Sequence, residues 1–263
     1  MKKYIVTLIV LAFASIAWSP YDMAAQDTEK KAMINDYMMI GVNYGVTASS
    51  MYYNPSKHNR TIPISMNYVA VHFTKYTKMF DTLPLFGIVL GLEHGNSGYG
   101  FKVDPETGYS LDIDGANKCI MDLWSIPAMA QIHADFDPGK VMVNIGVYGG
   151  WRSSIDRSGP RLDPEWQKKF RPYEIQIDYG LQGGLGFALM FSPIEIHFNA
   201  GIRWSWSSLY QPDYASQYYY RYAYPLDFTA SVGIHFQLTK RYGKTTKQLR
   251  NEAKAIVYGT TEN

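Results

Sequence analysis

Four acidic residues and one arginine occupy polar positions in stretches that otherwise alternate between apolar and polar side chains. These residues are Glu93, Asp178, Glu195, Asp227 and Arg203. An ionised side chain that leaves water needs a partner of opposite charge. The spacing therefore predicts a buried polar network in which Arg203 is the one strong cation at mid-height and pairs with one of the four acids. Such a network either fills an interior permanently or opens as a gate for a narrow file of water.

Three histidines, His133, His197 and His235, share the polar face with these charges. A metal site needs three or four ligands that converge on one point at about 2 Å. His197 and His235 fall on neighbouring stretches, whereas His133 lies far from both along the chain. We therefore expect histidines held by ordinary hydrogen bonds, with no metal and no cofactor.

The motifs of common enzymes are missing from the sequence, which has no Gly-x-Ser-x-Gly elbow, no His-Glu-x-x-His pair and no phosphate-binding loop. We expect no enzymatic activity. A lipid-modifying enzyme remains an alternative.

Composition narrows the class of protein further. The chain has 263 residues, a formal net charge of +2, 46% hydrophobic residues and one cysteine, Cys119. This hydrophobic content excludes a disordered chain, and the single cysteine excludes a disulfide scaffold. The near-neutral charge argues against a nucleic-acid partner.

The first 26 residues have the pattern of a secretory signal peptide. Lys2 and Lys3 precede a short apolar run that ends in small residues near Ala25. The run is too short to favour the alternative, an N-terminal membrane anchor. We expect export of the chain and a periplasmic segment over residues 27–37.

The rest of the chain alternates with a period of two. In the stretch 194–207 every even position is apolar and every odd position is polar or glycine. Side chains of a strand point alternately to its two faces, so each such stretch is a strand between two different environments. We predict eight strands, at approximately Met38–Ser49, Ile62–Thr74, Leu85–Tyr99, Ile120–Ala134, Val141–Ser153, Tyr173–Met190, Ile194–Ser207 and Leu226–Thr239.

These strands favour a membrane barrel over the alternative, a soluble secreted sandwich. They run for about 10 to 15 residues, long enough to cross a bilayer at a tilt, and their apolar faces end in aromatic residues such as Trp151 and Trp204. Long and short connections alternate along the chain. The predicted fold is all-β, an eight-stranded antiparallel up-and-down transmembrane β-barrel over residues 38–239, with long loops outside and both termini in the periplasm. One long loop, 154–172, is expected to hold a helical turn with Asp163 as its cap and Pro164 in its first position.

Several strands resemble the signatures of the PorT-like outer-membrane β-barrel family. Leu123–Ala130, Val143–Gly150 and Asp178–Gly186 are similar to the family's x-E-I-P-x-L, x-N-x-G-x-Y-x-G and D-x-G-x-x-x-G-x-G strands, and Ala200–Trp204 is similar to its x-x-R-Y strand. Ser125 stands where the family usually has glutamate, and Trp204 where it has tyrosine. The resemblance implies an outer-membrane barrel, and the namesake of the family supports type IX secretion.

Two segments outside the predicted strands are candidates for binding. The last long loop is rich in tyrosine, a residue common both in binding surfaces and at lipid interfaces. The basic tail 240–263 is expected to form a short helix or a solvated periplasmic tail. The candidate surface-binding residues are Tyr214, Tyr218, Tyr219, Tyr220 and Tyr222, and the candidate partner-docking residues are Leu249, Arg250, Lys254 and Ile256.

The sequence thus predicts a non-enzymatic outer-membrane barrel that is a structural or accessory subunit of an envelope complex. Its expected partners are outer-membrane lipid and an envelope protein bound through the C-terminal tail. The alternatives left open are a narrow gated solute pore and an outer-membrane lipid-modifying enzyme. An interior formed by eight strands is just wide enough for side chains to fill, so a closed lumen is expected.

Overall fold

The computed structural model describes residues 37–54, 60–79, 83–102, 115–136, 138–211 and 222–239. The predictions for the signal peptide, for the tail 240–263 and for Tyr214, Tyr218, Tyr219 and Tyr220 lie outside these residues. Within them, no helix is both long enough and apolar enough to cross a membrane.

Eight long strands form a closed antiparallel barrel, as predicted. Around the ring the order is β1, β3, β4, β5, β6, β7, β8 and β9, and β9 pairs again with β1. The two-residue strand β2 pairs with the far end of β4. The strands are β1 Tyr37–Asn54, β2 Arg60–Thr61, β3 Ile64–Met79, β4 Leu83–Phe101, β5 Lys118–Phe136, β6 Gly139–Ser158, β7 Ile177–Phe191, β8 Ile194–Ser205 and β9 Tyr222–Gln237.

The two ends of the barrel differ in their connections. At one end, here called the turn end, β1 begins, β9 ends and short connections join β3 to β4, β5 to β6 and β7 to β8. The other end, the loop end, carries the four long connections. In the loop between β6 and β7, a 3₁₀ turn covers Pro164–Trp166, and the Asp163 side chain accepts a hydrogen bond of 3.0 Å from the Glu165 backbone. This confirms the predicted cap.

Most differences between predicted and observed strands occur at the loop end. Strand β6 continues to Ser158, so part of the predicted loop 154–172 is strand, and β7 begins at Ile177 rather than Tyr173. A bulge at Ser153 causes the first difference, because Leu123 of β5 pairs with Arg152 while Asp122 pairs with Ser154. One extra residue reverses the alternation of faces beyond it. A prediction that relies on strict alternation of apolar and polar residues therefore ends the strand at the bulge.

The alternating pattern divides the side chains between the lumen and the outer surface. On β8 the odd positions Glu195, His197 and Arg203 are buried, whereas Phe198 and Trp204 are exposed. On β5 every outward position from Trp124 to Phe136 is apolar. The barrel is thus polar inside and apolar outside, the reverse of a water-soluble protein.

The wall between β3 and β4 is incomplete toward the loop end. Backbone pairing of β3 with β4 ends at Val69 and His94. Closer to the loop end, β4 is paired again only where its Gly100 meets Thr61 of β2. Side chains span the interval, since the Asn96 side-chain amide donates to Ser65 Oγ at 3.1 Å and its oxygen accepts from the amide of Asn67. This part of β3 lies over β4, because Asn96 is only 8% exposed although its position on β4 faces outward.

Candidate functional site

A lysine closes the turn end of the lumen. Lys140 Nζ lies 2.5 Å from Glu195 Oε2 and donates to the hydroxyls of Tyr37 at 3.0 Å and Tyr76 at 2.9 Å. The two tyrosine rings stack with centroids 4.5 Å apart, and Lys140 Nζ lies 4.4 Å from the centroid of the Tyr76 ring. Gln237 donates to the other oxygen of Glu195 at 3.1 Å. All these groups are buried, so together they form a solid polar plug.

On the loop-end side of this plug, the lumen contains a central chamber of about 50 Å³. Asn43 joins three of the side chains that line it: its amide nitrogen lies 3.2 Å from His72 Nδ1, and its oxygen lies 3.2 Å from His235 Nε2 and accepts from Asn199 at 3.2 Å. The polar residues that line the chamber include His72, Glu93, Gln131, Asn144, Gln182, His197, Asn199 and His235.

Glu93 is the buried carboxylate of the chamber. Its oxygens accept from Gln182 Nε2 at 2.9 and 3.0 Å, and His72 Nε2 lies 2.9 Å from Oε1. Glu93 was one of four predicted candidates to pair with Arg203, and the guanidinium pairs with another of the four, Asp227. Glu93 is therefore held by the amide of Gln182, by His72 and by the hydroxyl of Tyr68.

The three predicted histidines are all buried in the half of the lumen nearer the turn end. His197 and His235 stack in parallel with ring centroids 3.7 Å apart, and His197 Nε2 lies 3.1 Å from Glu195. Gly41 makes room for His235, since a Cβ on this glycine would meet the imidazole at 2.2 Å. His133 lies apart from the stacked pair, 2.9 Å from Asp135. Among the described residues, no group of three or more His, Cys, Asp or Glu side chains is arranged to hold a metal ion.

Two arginine–aspartate pairs, each between neighbouring strands, lie inside the lumen between the chamber and the loop end. Arg203 donates to Asp227 Oδ2 through Nη2 at 2.9 Å and through Nε at 3.2 Å. Arg152 Nη2 donates to Asp178 at 3.0 Å. Ser125, at the position where the PorT-like pattern has glutamate, accepts a long bond of 3.4 Å from Arg203. This belt of two pairs fills the interior with matched charges.

The loop end is closed by a third arginine–carboxylate pair and by an apolar cluster. Arg157 binds Glu174 and also donates to the backbone oxygens of Trp166 at 2.9 Å and Lys169 at 3.0 Å, which ties the β6–β7 loop over the barrel. Burial raises the pKa of the Glu174 carboxyl, although the charge of Arg157 opposes the shift. The residues of the apolar cluster are Met51, Tyr53, Tyr99, Phe101, Cys119, Met121, Ile155, Leu209, Tyr210 and Ala223.

The structure places all seven predicted network residues inside the barrel. They are Arg203, Glu93, Asp178, Glu195, Asp227, His197 and His235, and each is at most 3% exposed. Arg203 was predicted to be the one strong cation at mid-height, which is wrong because Arg152 lies in the same belt; Lys140 and Arg157 are also buried, at the two ends of the lumen.

The pattern of β6 contained part of this missing signal. Lys140 and Arg152 have the same parity as Asn144 and Tyr148, which were assigned to the lumen, so extending the alternation by one step at each end would have found them. Arg157 has the opposite parity because the bulge at Ser153 intervenes. Of the predicted tyrosine loop, the structure describes Tyr222, whose ring stacks on Tyr52 with centroids 5.8 Å apart at the loop end.

Comparison with known proteins gives similarity of structure only. No family model matches the chain, and no curated protein sequence matches it. Among solved structures, it resembles Ail, the attachment invasion locus protein of Yersinia pestis, with 9% identity and a TM-score of 0.39 over 76% of this chain and 99% of that one. Neisserial surface protein A gives 9% identity and 0.40 over 76% and 96%, and the N-terminal β-barrel domain of Pseudomonas aeruginosa OprF gives 10% and 0.34 over 75% and 97%. Because these scores lie below 0.5, the fold rests on the strand pairing of this chain alone.

Proposed function

We propose that this protein is an outer-membrane β-barrel that spans the lipid bilayer through its eight long strands. The observation that carries the proposal is the continuous apolar outer surface. On β5, Trp124 and Phe136 are exposed and twelve residues apart, which corresponds to about 30 Å across a membrane for a strand tilted by about 40°. Only apolar side chains lie between them on that face. A surface of this kind is stable against hydrocarbon and unstable against water.

The aromatic residues of the outer surface support the same placement. Trp124 of β5 pairs with Trp151 of β6 toward the loop end, and Phe187 of β7 pairs with Phe198 of β8 toward the turn end. Aromatic side chains prefer the two interfaces of a bilayer. Together with the signal peptide predicted at residues 1–26, they support insertion in the outer membrane, and we propose that the loop end lies outside the cell with both termini in the periplasm.

The role we infer is non-enzymatic, that of a structural or accessory subunit of an envelope complex. The filled lumen supports this role, because the lysine plug, the arginine belt and the apolar cluster lie in series along the axis. If the resemblance to PorT-like barrels extends to function, the complex is related to type IX secretion. The basic tail 240–263 would then contact a periplasmic or membrane partner.

Conductance and partner capture test this proposal separately. We expect the purified barrel, reconstituted in a planar bilayer, to show no stable channels, whereas stable channels would favour the narrow gated pore. In native membranes, crosslinking followed by detergent extraction is expected to capture an envelope protein with the full chain. A chain that lacks residues 241–263 is expected to lose that partner, and an unchanged set of partners would exclude docking through the tail.

A further inference from the structure

The central chamber contains buried polar atoms that no protein group satisfies. Among the described residues that line it, these atoms are Gln131 Oε1, Gln182 Oε1 and His235 Nδ1. Gln131 and His235 are 4% and 3% exposed. A buried polar atom without a partner costs free energy comparable to a lost hydrogen bond, so the chamber needs an occupant.

The hydrogen bonds of Asn43 show what these atoms require. Its oxygen accepts from Asn199, so His235 Nε2 must donate to that oxygen, which leaves His235 Nδ1 as a lone pair in the neutral ring. The amide nitrogens of Gln131 and Gln182 are used on Asn144 and Glu93, so the side-chain oxygens are the free atoms. All three unsatisfied atoms are therefore acceptors.

The charge of the chamber is also unbalanced. Asn43 Nδ2 is a donor, so His72 Nδ1 accepts from it, and the neutral His72 then donates from Nε2 to Glu93. Of the other buried carboxylates in the described part of the lumen, Asp178, Glu195, Asp227 and Glu174 each face an arginine or lysine, and Asp135 lies 2.9 Å from His133 near the turn end. One negative charge remains at Glu93, whose side chain is 1% exposed.

We propose that the chamber binds one small monovalent cation, either ammonium or a hydrated alkali ion. Gln131 Oε1, Gln182 Oε1 and His235 Nδ1 accept hydrogen bonds from the ion or from its water shell, and Glu93 supplies the balancing charge. The volume of about 50 Å³ accommodates about three to five water-sized particles, enough for the ion and a few waters. A divalent ion is a poorer fit, because the chamber has a single unmatched carboxylate.

Refolding in different chloride salts tests the site. The barrel is refolded at one ionic strength in sodium, potassium, ammonium or tetramethylammonium chloride, the last of which has no N–H donor and is too large for the chamber. We expect at least one small cation to raise the unfolding midpoint of the wild type by about 5 °C over tetramethylammonium. Glu93→Gln is expected to show no difference among the salts, whereas Glu165→Gln, a matched change of an exposed loop glutamate, keeps the wild-type response.

Equal midpoints of the wild type in all four salts would overturn the proposal, because the chamber would then hold water only. Crystals grown in rubidium chloride give a second measurement that needs no variant. We expect an anomalous rubidium peak in the chamber. Its absence from crystals in which rubidium is the only small cation would count against the site. An infrared carboxylic-acid band that disappears in Glu93→Gln would also overturn it, since Glu93 would then carry a proton instead of facing a cation.

Discussion

Lys140 Nζ lies 2.5 Å from Glu195 Oε2 although neither side chain reaches solvent, and the pair joins β6 to β8, which are not neighbours in the sheet. Strand β7 lies between these two strands in the ring. The contact therefore fixes the cross-section of the turn end, where Tyr37 and Tyr76 complete the plug.

Removing one partner of this pair is expected to destabilise the barrel strongly. Lys140→Met leaves the Glu195 charge buried without its cation, at a cost of about 3–5 kcal/mol in the free energy of unfolding. Urea unfolding in lipid vesicles measures the change. The double variant Lys140→Met/Glu195→Leu is expected to recover much of the loss, because no charge then remains unpaired. A single variant as stable as the wild type would show that Glu195 is satisfied without Lys140.

A charge on the outer face of β6 is expected to weaken folding in a bilayer. Ile145 is 66% exposed near the middle of the strand, so Ile145→Arg places a cation in hydrocarbon at a cost of about 2–4 kcal/mol. Gln167→Arg in the exposed β6–β7 loop is the control and is expected to change little. Vesicle refolding titrations compare the two, and equal stabilities would mean that water, not lipid, surrounds Ile145.

The anchoring of the β6–β7 loop is expected to depend on pH through Glu174. Burial raises the pKa of this carboxyl in the folded chain, so the folded state favours the protonated form. The associated stability is complete below the ordinary glutamate pKa of about 4.3 and is lost as the pH rises through the raised value. As the pH rises over that interval, the unfolding midpoint of the wild type should therefore fall relative to that of Glu174→Gln. If the midpoint difference between wild type and Glu174→Gln stays the same from about pH 3 to about pH 8, the raised pKa of Glu174 is contradicted.

Amide exchange is expected to differ between two parts of the wall. Backbone amides of Ser65–Tyr68 and Gly95–Tyr99 border the interval without ladder pairs between β3 and β4, whereas those of Val143 and Leu185 lie in continuous pairing of β6 with β7. We expect faster hydrogen exchange in the first group, because fewer backbone bonds oppose local opening. Equal protection of both groups, measured by NMR in micelles, would show that side-chain contacts hold this wall as firmly as a ladder.

The alternation of side chains carried most of the fold, because strand faces follow directly from a period of two. It located all eight barrel strands and put Asp178, Glu195, Arg203 and Asp227 in the lumen. The ends of the strands could be predicted less well, because the bulge at Ser153 and the overlap of β3 with β4 are tertiary features that reverse or interrupt the alternating pattern.

The pairing inside the lumen could not be derived from the sequence. Strand parity places a side chain inside but does not give its height relative to strands across the barrel, which depends on the stagger of the whole ring. For this reason four acids were candidate partners of Arg203, and the structure gives that position to Asp227, which lies directly opposite Arg203 in the register of β8 with β9. The chamber and its unsatisfied acceptors likewise appear only when the strands are assembled.

The interval between β3 and β4 has a mechanical consequence. Side-chain bonds such as those of Asn96 yield to lateral force more readily than a backbone ladder, so this sector of the ring is elastically soft. Asn96 adjoins Ser97, whose hydroxyl donates to Asp227 at 3.1 Å, and Asp227 holds Arg203. The interval in the wall and the centre of the barrel are therefore linked by a path only a few side chains long.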